Sequence, residues 1–191
     1  MPKHHNSALP LHGRVVAVFG ASAALPGEAD YQTGESCGAA LARAGAAVVT
    51  GGYAGLMEAV SKGAAQAGGH VIGVTVPGTF VSRPGANPFV KQEVMAPSLT
   101  ERIHTLIEMS DASIALNGSL GTLTELIVAW NVAYVERFSE NEPKPVFAVG
   151  QRWDTIVTSL ANDLQTDRGL VTNVPDVAAA VAGLIDALTS P

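Results

Sequence analysis

Disulfides, membrane spans and basic runs are all missing from this chain. A single cysteine, Cys37, has no partner for an internal disulfide and fits a reducing, cytoplasmic setting. No apolar run approaches the ~20 residues of a transmembrane helix, so no membrane partner is expected. Residues 1 to 13 are polar and proline-containing and lack the apolar stretch of a signal peptide; they read as a flexible tail. Charged residues make up only 15% of the chain, the net charge is −6, and no Lys/Arg cluster occurs, which argues against nucleic acid.

Several catalytic signatures are also missing. The turn after the first apolar strand reads Gly20-Ala21-Ser22-Ala23-Ala24, with one glycine where a dinucleotide loop needs three, and the second strand ends in Thr50 rather than an acid. No Gly-Lys-Ser/Thr loop for a nucleoside triphosphate is present. Gly118-Ser119-Leu120-Gly121 falls one residue short of a nucleophile elbow. The last histidine, His104, precedes Ser119, so the usual base is lacking. The five histidines and Cys37 show no metal-ligand spacing, and the four lysines occupy no Schiff-base motif. No metal and no cofactor are expected.

What is present is glycine, alanine and a regular alternation. Hydrophobic residues reach 47%, enough for one domain with a sizeable core. Short β-branched runs at residues 14–20, 46–50, 70–76, 112–116 and 145–149 read as buried strands, with shorter strands near 92–96 and 170–174. Helical patterns follow at 34–45, 56–67, 98–109, 122–137, 154–164 and 176–188, and residues 77–91 form a long loop. Alternation of this kind predicts an α/β fold: a single-domain, Rossmann-like, doubly wound parallel sheet with helices on both faces, over residues 14–191.

Ligands of such sheets lie beyond the carboxyl ends of the strands. Three glycine turns fall there: Gly20-Ala21-Ser22, Gly51-Gly52-Tyr53-Ala54-Gly55 and Gly118-Ser119-Leu120-Gly121. Free N–H groups and the positive dipole end of a helix suit an anion, so a phosphate-bearing, nucleotide-like molecule is the expected partner. Thr122-Leu123-Thr124-Glu125 also fits a capping box, in which Glu125 would bond the Thr122 backbone N–H. Glu58 reads as a dipole partner of its helix, and Trp130 with Tyr134 as core or subunit contact. Ser22 and Thr50 are placed at the pocket.

The stretch Gly51-Gly52-Tyr53-Ala54-Gly55-Leu56-Met57-Glu58, continuing to Gly63 and Gly68-Gly69-His70-Val71, resembles the LONELY GUY (LOG) family, once labelled "possible lysine decarboxylase". So does Arg102, nine residues ahead of Asp111, followed by a strand and a G-x-x-G-T-x-x-E sequence. The resemblance runs from about Val15 to Val149. It implies a phosphoribohydrolase that releases the base from a nucleoside 5′-monophosphate of cytokinin or AMP type, acting as a homodimer or higher homo-oligomer; lysine decarboxylation is not expected. A wider branch that includes molybdenum-cofactor carriers implies, as the alternative, a non-catalytic binder.

Against the family hallmark P-G-G-x-G-T-x-x-E, the glycines fall on Gly118, Ser119 and Gly121, the threonine on Thr122 and the glutamate on Glu125, with Asn117 in the proline position. A serine at position 119 would be strained if the turn needs positive φ. Ile103 stands where the family has a lysine after Arg102. The resemblance gives Arg102 and Glu125 catalytic roles, and together with the three strand-end turns it assigns Gly20, Ser22, Gly51, Gly52, Gly55, Gly118, Ser119, Gly121 and Thr122 to the ligand.

Overall fold

The computed structural model describes residues 9–78, 85–140 and 142–190. Strands and helices alternate as β1 (Val15–Phe19), α1 (Ala29–Ala44), β2 (Ala47–Thr50), α2 (Leu56–Gln66), β3 (Val71–Thr75) and β4 (Gln92–Met95). Then come α3 (Leu99–Glu108), β5 (Ala112–Ala115), α4 (Leu120–Glu136), β6 (Val146–Val149), α5 (Gln151–Leu164), a 3-10 turn (Arg168–Leu170), β7 (Val171–Val174) and α6 (Val177–Thr189). All seven strands pair in parallel in the order β4-β3-β2-β1-β5-β6-β7. The order reverses between β1 and β5, so a crevice opens at their carboxyl ends.

The two faces of the sheet carry separate cores, because successive strand residues point to opposite sides. Val16 and Val18 of β1 face α1, α2 and α6, while Ala17 and Phe19 face α3, α4 and α5. Both faces are apolar, as a parallel sheet covered on two sides requires. On the first face α1 and α2 meet through glycines. A Cβ on Gly38 would lie 2.0 Å from the Val60 carbonyl oxygen, and one on Gly63 would lie 1.9 Å from that of Glu35.

Helix ends follow local chemistry. Ser98 caps α3 by accepting from the Glu101 N–H (3.2 Å), and Asp176 caps α6 by accepting from the Ala179 N–H (2.8 Å). Gly45 closes α1 in the left-handed conformation, φ 99°. Three helices start earlier than their apolar periodicity suggests: α1 at Ala29, α4 at Leu120 and α5 at Gln151. Each first turn sets a single large apolar residue, buried Tyr31 and Trp153 or exposed Leu120, among polar or small neighbours, so periodicity does not mark them.

The expected tail divides. Residues 1–8 lie outside the described residues, but Leu9–Gly13 form a turn rather than a flexible end. Leu11 is fully buried, and its N–H donates to the Ala44 carbonyl (2.8 Å). Of the loop over 77–91, residues 79–84 likewise lie outside the described residues. Its later part is pinned by buried Asn87, whose Nδ2 donates to the carbonyls of Gly52 and Tyr53, both at 3.1 Å.

The α1–α2 crossing gives a direct test. Gly63→Ala would gain up to ~1 kcal/mol of helix propensity, yet its methyl would collide with backbone, a cost of ~1–3 kcal/mol or more. We expect Tm to fall by about 5 °C in a thermal melt. A Tm at or above that of the parent would show that the helices are not in this contact.

Candidate functional site

A cleft of about 440 Å³ lies at the sheet's switch point. It is lined by the β1–α1 turn (Gly20, Ser22), the start of α4 (Ser119, Gly121, Thr122, Thr124, Glu125), α3 (Leu99, Thr100, Arg102, Ile103) and Met57 of α2. Its floor is an ion pair: Arg102 Nη1 donates to Glu125 Oε1 at 3.3 Å, and both residues are buried.

Arg102 is held on several sides. Its Nε donates to the carbonyl of Val74 at the end of β3 (2.9 Å), and its Nη2 lies 3.6 Å from Met57 Sδ. The guanidinium sits 5.8 Å from the centre of the Tyr53 ring. Tyr53 is itself fixed at the end of β3, donating to the Val76 carbonyl (3.2 Å) and accepting from the Val76 N–H (2.8 Å). Gly51 makes room for this arrangement, since a Cβ there would fall 1.5 Å from Arg102 Nη2. The glycine turn after β2 thus seats the arginine instead of lining the cleft.

The same holds for the other interior glycines assigned to the ligand. Gly52 has φ 74° and packs on Gly73, with its N–H donating to Thr50 Oγ1 (3.1 Å). Gly55 has φ 77°, and a Cβ there would lie 2.4 Å from the Ala21 carbonyl oxygen. Gly118 lies against Thr122, whose Oγ1 would be 2.1 Å from an added Cβ. These residues shape the cleft from behind. Gly20, Ser22, Ser119, Gly121 and Thr122 face it, and at Gly121 an added Cβ would meet open space.

Three expectations change. Ser119 has φ −115° and ψ −152°, ordinary extended backbone, so a serine carries no strain there. It is the N-cap of α4 but its side chain bonds no helix N–H. The capping box does not form: α4 begins at Leu120, Thr122 is already inside it, and the Glu125 carboxylate bonds Arg102. The first-turn N–H groups of α4, which no intrahelical carbonyl can satisfy, therefore stand beside the cleft. Thr50 is fully buried and holds Gly52 rather than lining the pocket.

Other candidates lie elsewhere. Glu58 accepts from the Tyr31 hydroxyl (3.0 Å) between α2 and α1. Asp111 is at the amino end of β5, opposite the cleft, where its carboxylate accepts from the Val15 N–H (2.8 Å) and pairs with Arg14. Trp130 is core, its Nε1 donating to the Asp167 carbonyl (3.0 Å), and Tyr134 is half-buried in an edge-on contact with Phe138. Met57, Leu99, Thr100 and Thr124 line the cleft without having been identified in the sequence. Leu99 lies one helical turn before Arg102, which is a usable signal; the two threonines carry none.

Burial pushes the Glu125 carboxyl up to about 7, although neighbouring Arg102 pulls it down. Desolvation outweighs the partner because the contact is single and long while the group is almost dry. Since the folded value exceeds the unfolded one, this group's stabilisation is complete below about pH 4.5 and is lost as pH rises through about 7. At ~1.4 kcal/mol per pH unit, the loss is on the order of 3 kcal/mol. Denaturant melts at pH 4.5 and pH 8 should show that decline in the parent and its absence in Glu125→Gln; equal declines would contradict the assignment. Gly51→Ala should displace Arg102 and destabilise the fold by ~3 kcal/mol or more, because it strands a buried charge.

A cytokinin riboside 5′-monophosphate phosphoribohydrolase of Mycobacterium tuberculosis is 35% identical over 122 residues, 63% of this chain and 64% of the relative. The Arabidopsis thaliana enzyme LOG5, of the same description, is 36% identical over 85 residues, 44% of this chain and 37% of its own length. The chain thus spans under two thirds of these relatives. Among solved structures, the molybdenum cofactor carrier protein of Chlamydomonas reinhardtii superposes with a TM-score of 0.69 at 26% identity, covering 93% of this chain and 99% of that one. The molybdenum cofactor binding protein of Rippkaea orientalis shares the fold with a TM-score of 0.71 at 23% identity, over 93% of this chain and 98% of that one. Residues 13–177 match the SLOG cluster4 family, and the chain belongs to that family.

Proposed function

We propose that the protein hydrolyses the N-glycosidic bond of a nucleoside 5′-monophosphate, of AMP or cytokinin type. The observation that carries this reading is the buried Arg102–Glu125 pair at the floor of a cleft whose rim is the uncapped start of α4. The LOG relatives act on such nucleotides by name.

Breaking that bond builds positive charge on the ribose ring. A carboxylate beside the anomeric carbon stabilises this charge and takes a proton from the attacking water, whose oxygen bonds the sugar as the base departs with its electron pair. Glu125 is the group in place for it, and a carboxyl titrating at about 7 is a competent base at neutral pH. Arg102 orients Glu125 and is itself immobilised by Val74 and Tyr53. The phosphate would lie at the α4 start, with the N–H groups of that turn, Thr122 and Ser22 around it. Gly121 leaves space there, and Leu99, Ile103 and Met57 supply an apolar wall for the base.

A homodimer belongs to the same proposal. The outer faces of α3 and α4 form an apolar groove with Ile103, Ile107, Val128 and Val132, and Leu99 and Leu120 stand exposed at its cleft end. A second copy covering this groove would also narrow the mouth of the cleft. A cytoplasmic setting fits the buried thiol of Cys37.

The second reading, a carrier that binds without turnover, is favoured by the near-complete overlap with the Chlamydomonas carrier and by Ile103 in place of a family lysine. Incubation with AMP and with isopentenyl-AMP separates the two. We expect free base from at least one nucleotide, kcat/KM rising with pH to a plateau above about 7, and loss of turnover by ~100-fold or more in Glu125→Gln. Saturable binding with no base released would establish the carrier instead.

A further inference from the structure

A nucleotide 5′-phosphate brings close to two negative charges into the cleft. Among the described lining residues the one cation is Arg102, and that guanidinium is already engaged by Glu125, the Val74 carbonyl and Met57. Turning it toward a phosphate would unpair Glu125. The helix start alone contributes roughly half a charge. A second cation is therefore needed, and the lysine that the family places after Arg102 is Ile103 here.

The end of β5 shows where one is held. Trp153 Nε1 donates to the carbonyl of Leu116 (2.9 Å), tying the first turn of α5 to the end of that strand. The preceding residue, Arg152, donates from Nη1 to Asn117 Oδ1 at 3.3 Å. Asn117 is oriented from two other directions: its Nδ2 donates to Asp30 Oδ2 of α1 (2.7 Å), and its carbonyl accepts from the Ala21 N–H (3.0 Å). With Nδ2 committed to Asp30, the amide oxygen is left for Arg152. Asn117 stands two residues before Ser119, a reach of at most ~7 Å along the chain, and Ser119 lines the cleft. Arg152 itself is exposed, with its guanidinium 5.8 Å from the centre of the Trp153 ring, and its one hydrogen bond among the described residues leaves most of its donors available.

We propose that Arg152 is the phosphate-binding cation of this protein, positioned by the Asp30–Asn117 pair. The inference rests on the nucleotide reading of the cleft. Asparagine at the family's proline position is then a functional exchange: it gives up a fixed φ and gains an amide that presents a guanidinium to the rim of the anion site. The planar fork of arginine suits a phosphate oxygen pair, and the stem is free to swing from Asn117 to the ligand. Asp30 keeps its own place by the positive end of α1.

Calorimetric titration of the full chain with AMP and with adenosine tests this, since adenosine lacks only the phosphate. Arg152→Ala should weaken AMP binding about 10-fold and leave adenosine binding unchanged, while Arg152→Lys should recover all but about 3-fold. Asn117→Pro should weaken AMP binding by a few-fold in the parent and add nothing in Arg152→Ala. Arg152 is exposed, so Tm should be unchanged in its variants. Parent-like AMP affinity in Arg152→Ala, or equal losses for AMP and adenosine, would overturn the proposal. Should that occur while Glu125→Gln still abolishes base release, the hydrolase stands and Arg152 alone is dismissed; if the parent binds neither ligand, both fall.

Discussion

A charged pair buried at the carboxyl end of a parallel sheet is the constraint around which this molecule is arranged. Arg102 and Glu125 come from different helices and meet in a dry place, where an unpaired charge is costly. The surroundings answer that demand residue by residue. Val74 offers a carbonyl, Tyr53 a ring face, Met57 a sulfur, and Gly51 the absence of a side chain. Features that look independent in the sequence, such as the glycine turn after β2 and the arginine of α3, are two halves of one seat.

The scaffold makes that seat stiff. Strand order reverses between β1 and β5, so the turns leaving these strands diverge and open a crevice, while apolar cores on both faces hold the helices that bound it. Glycine contacts lock α1 to α2, and Asn87 stitches the later part of the long loop to the turn at Gly52 and Tyr53. Rigidity of this kind keeps Glu125 desolvated and therefore titrating near neutrality. The burial that raises this carboxyl to about 7 also costs folding energy at high pH.

Charge is distributed unevenly around the cleft. The floor carries an ion pair, Leu99, Ile103 and Met57 make one side apolar, and the exposed Arg152 stands outside the lining, at the start of α5. On the proposed reading, this separates the place where a sugar reacts from the place where a phosphate is held. It also gives the departures from the family hallmark a physical context: Asn117 is woven into a three-element junction, and Ser119 adopts backbone angles open to any residue.

The sequence by itself determined the layering. Short β-branched runs alternating with helical periods admit a parallel sheet and little else, and Gly-x-x-Gly-Thr-x-x-Glu marked the strand end at which the cleft lies. Local patterns reach that far because strand and helix periods are properties of neighbouring residues. Glu125 illustrates the limit: its spacing from Thr122 satisfies a capping box equally well, and only the approach of α3 hands it to Arg102. In the same way Gly51 and Gly118 read as ligand glycines, whereas packing uses them to admit a guanidinium and a threonine. The role of Asn117 was invisible, since Asp30 and Arg152 lie 87 and 35 residues away. Tertiary structure decided these matters because burial and partner choice depend on which distant segments the fold brings into contact.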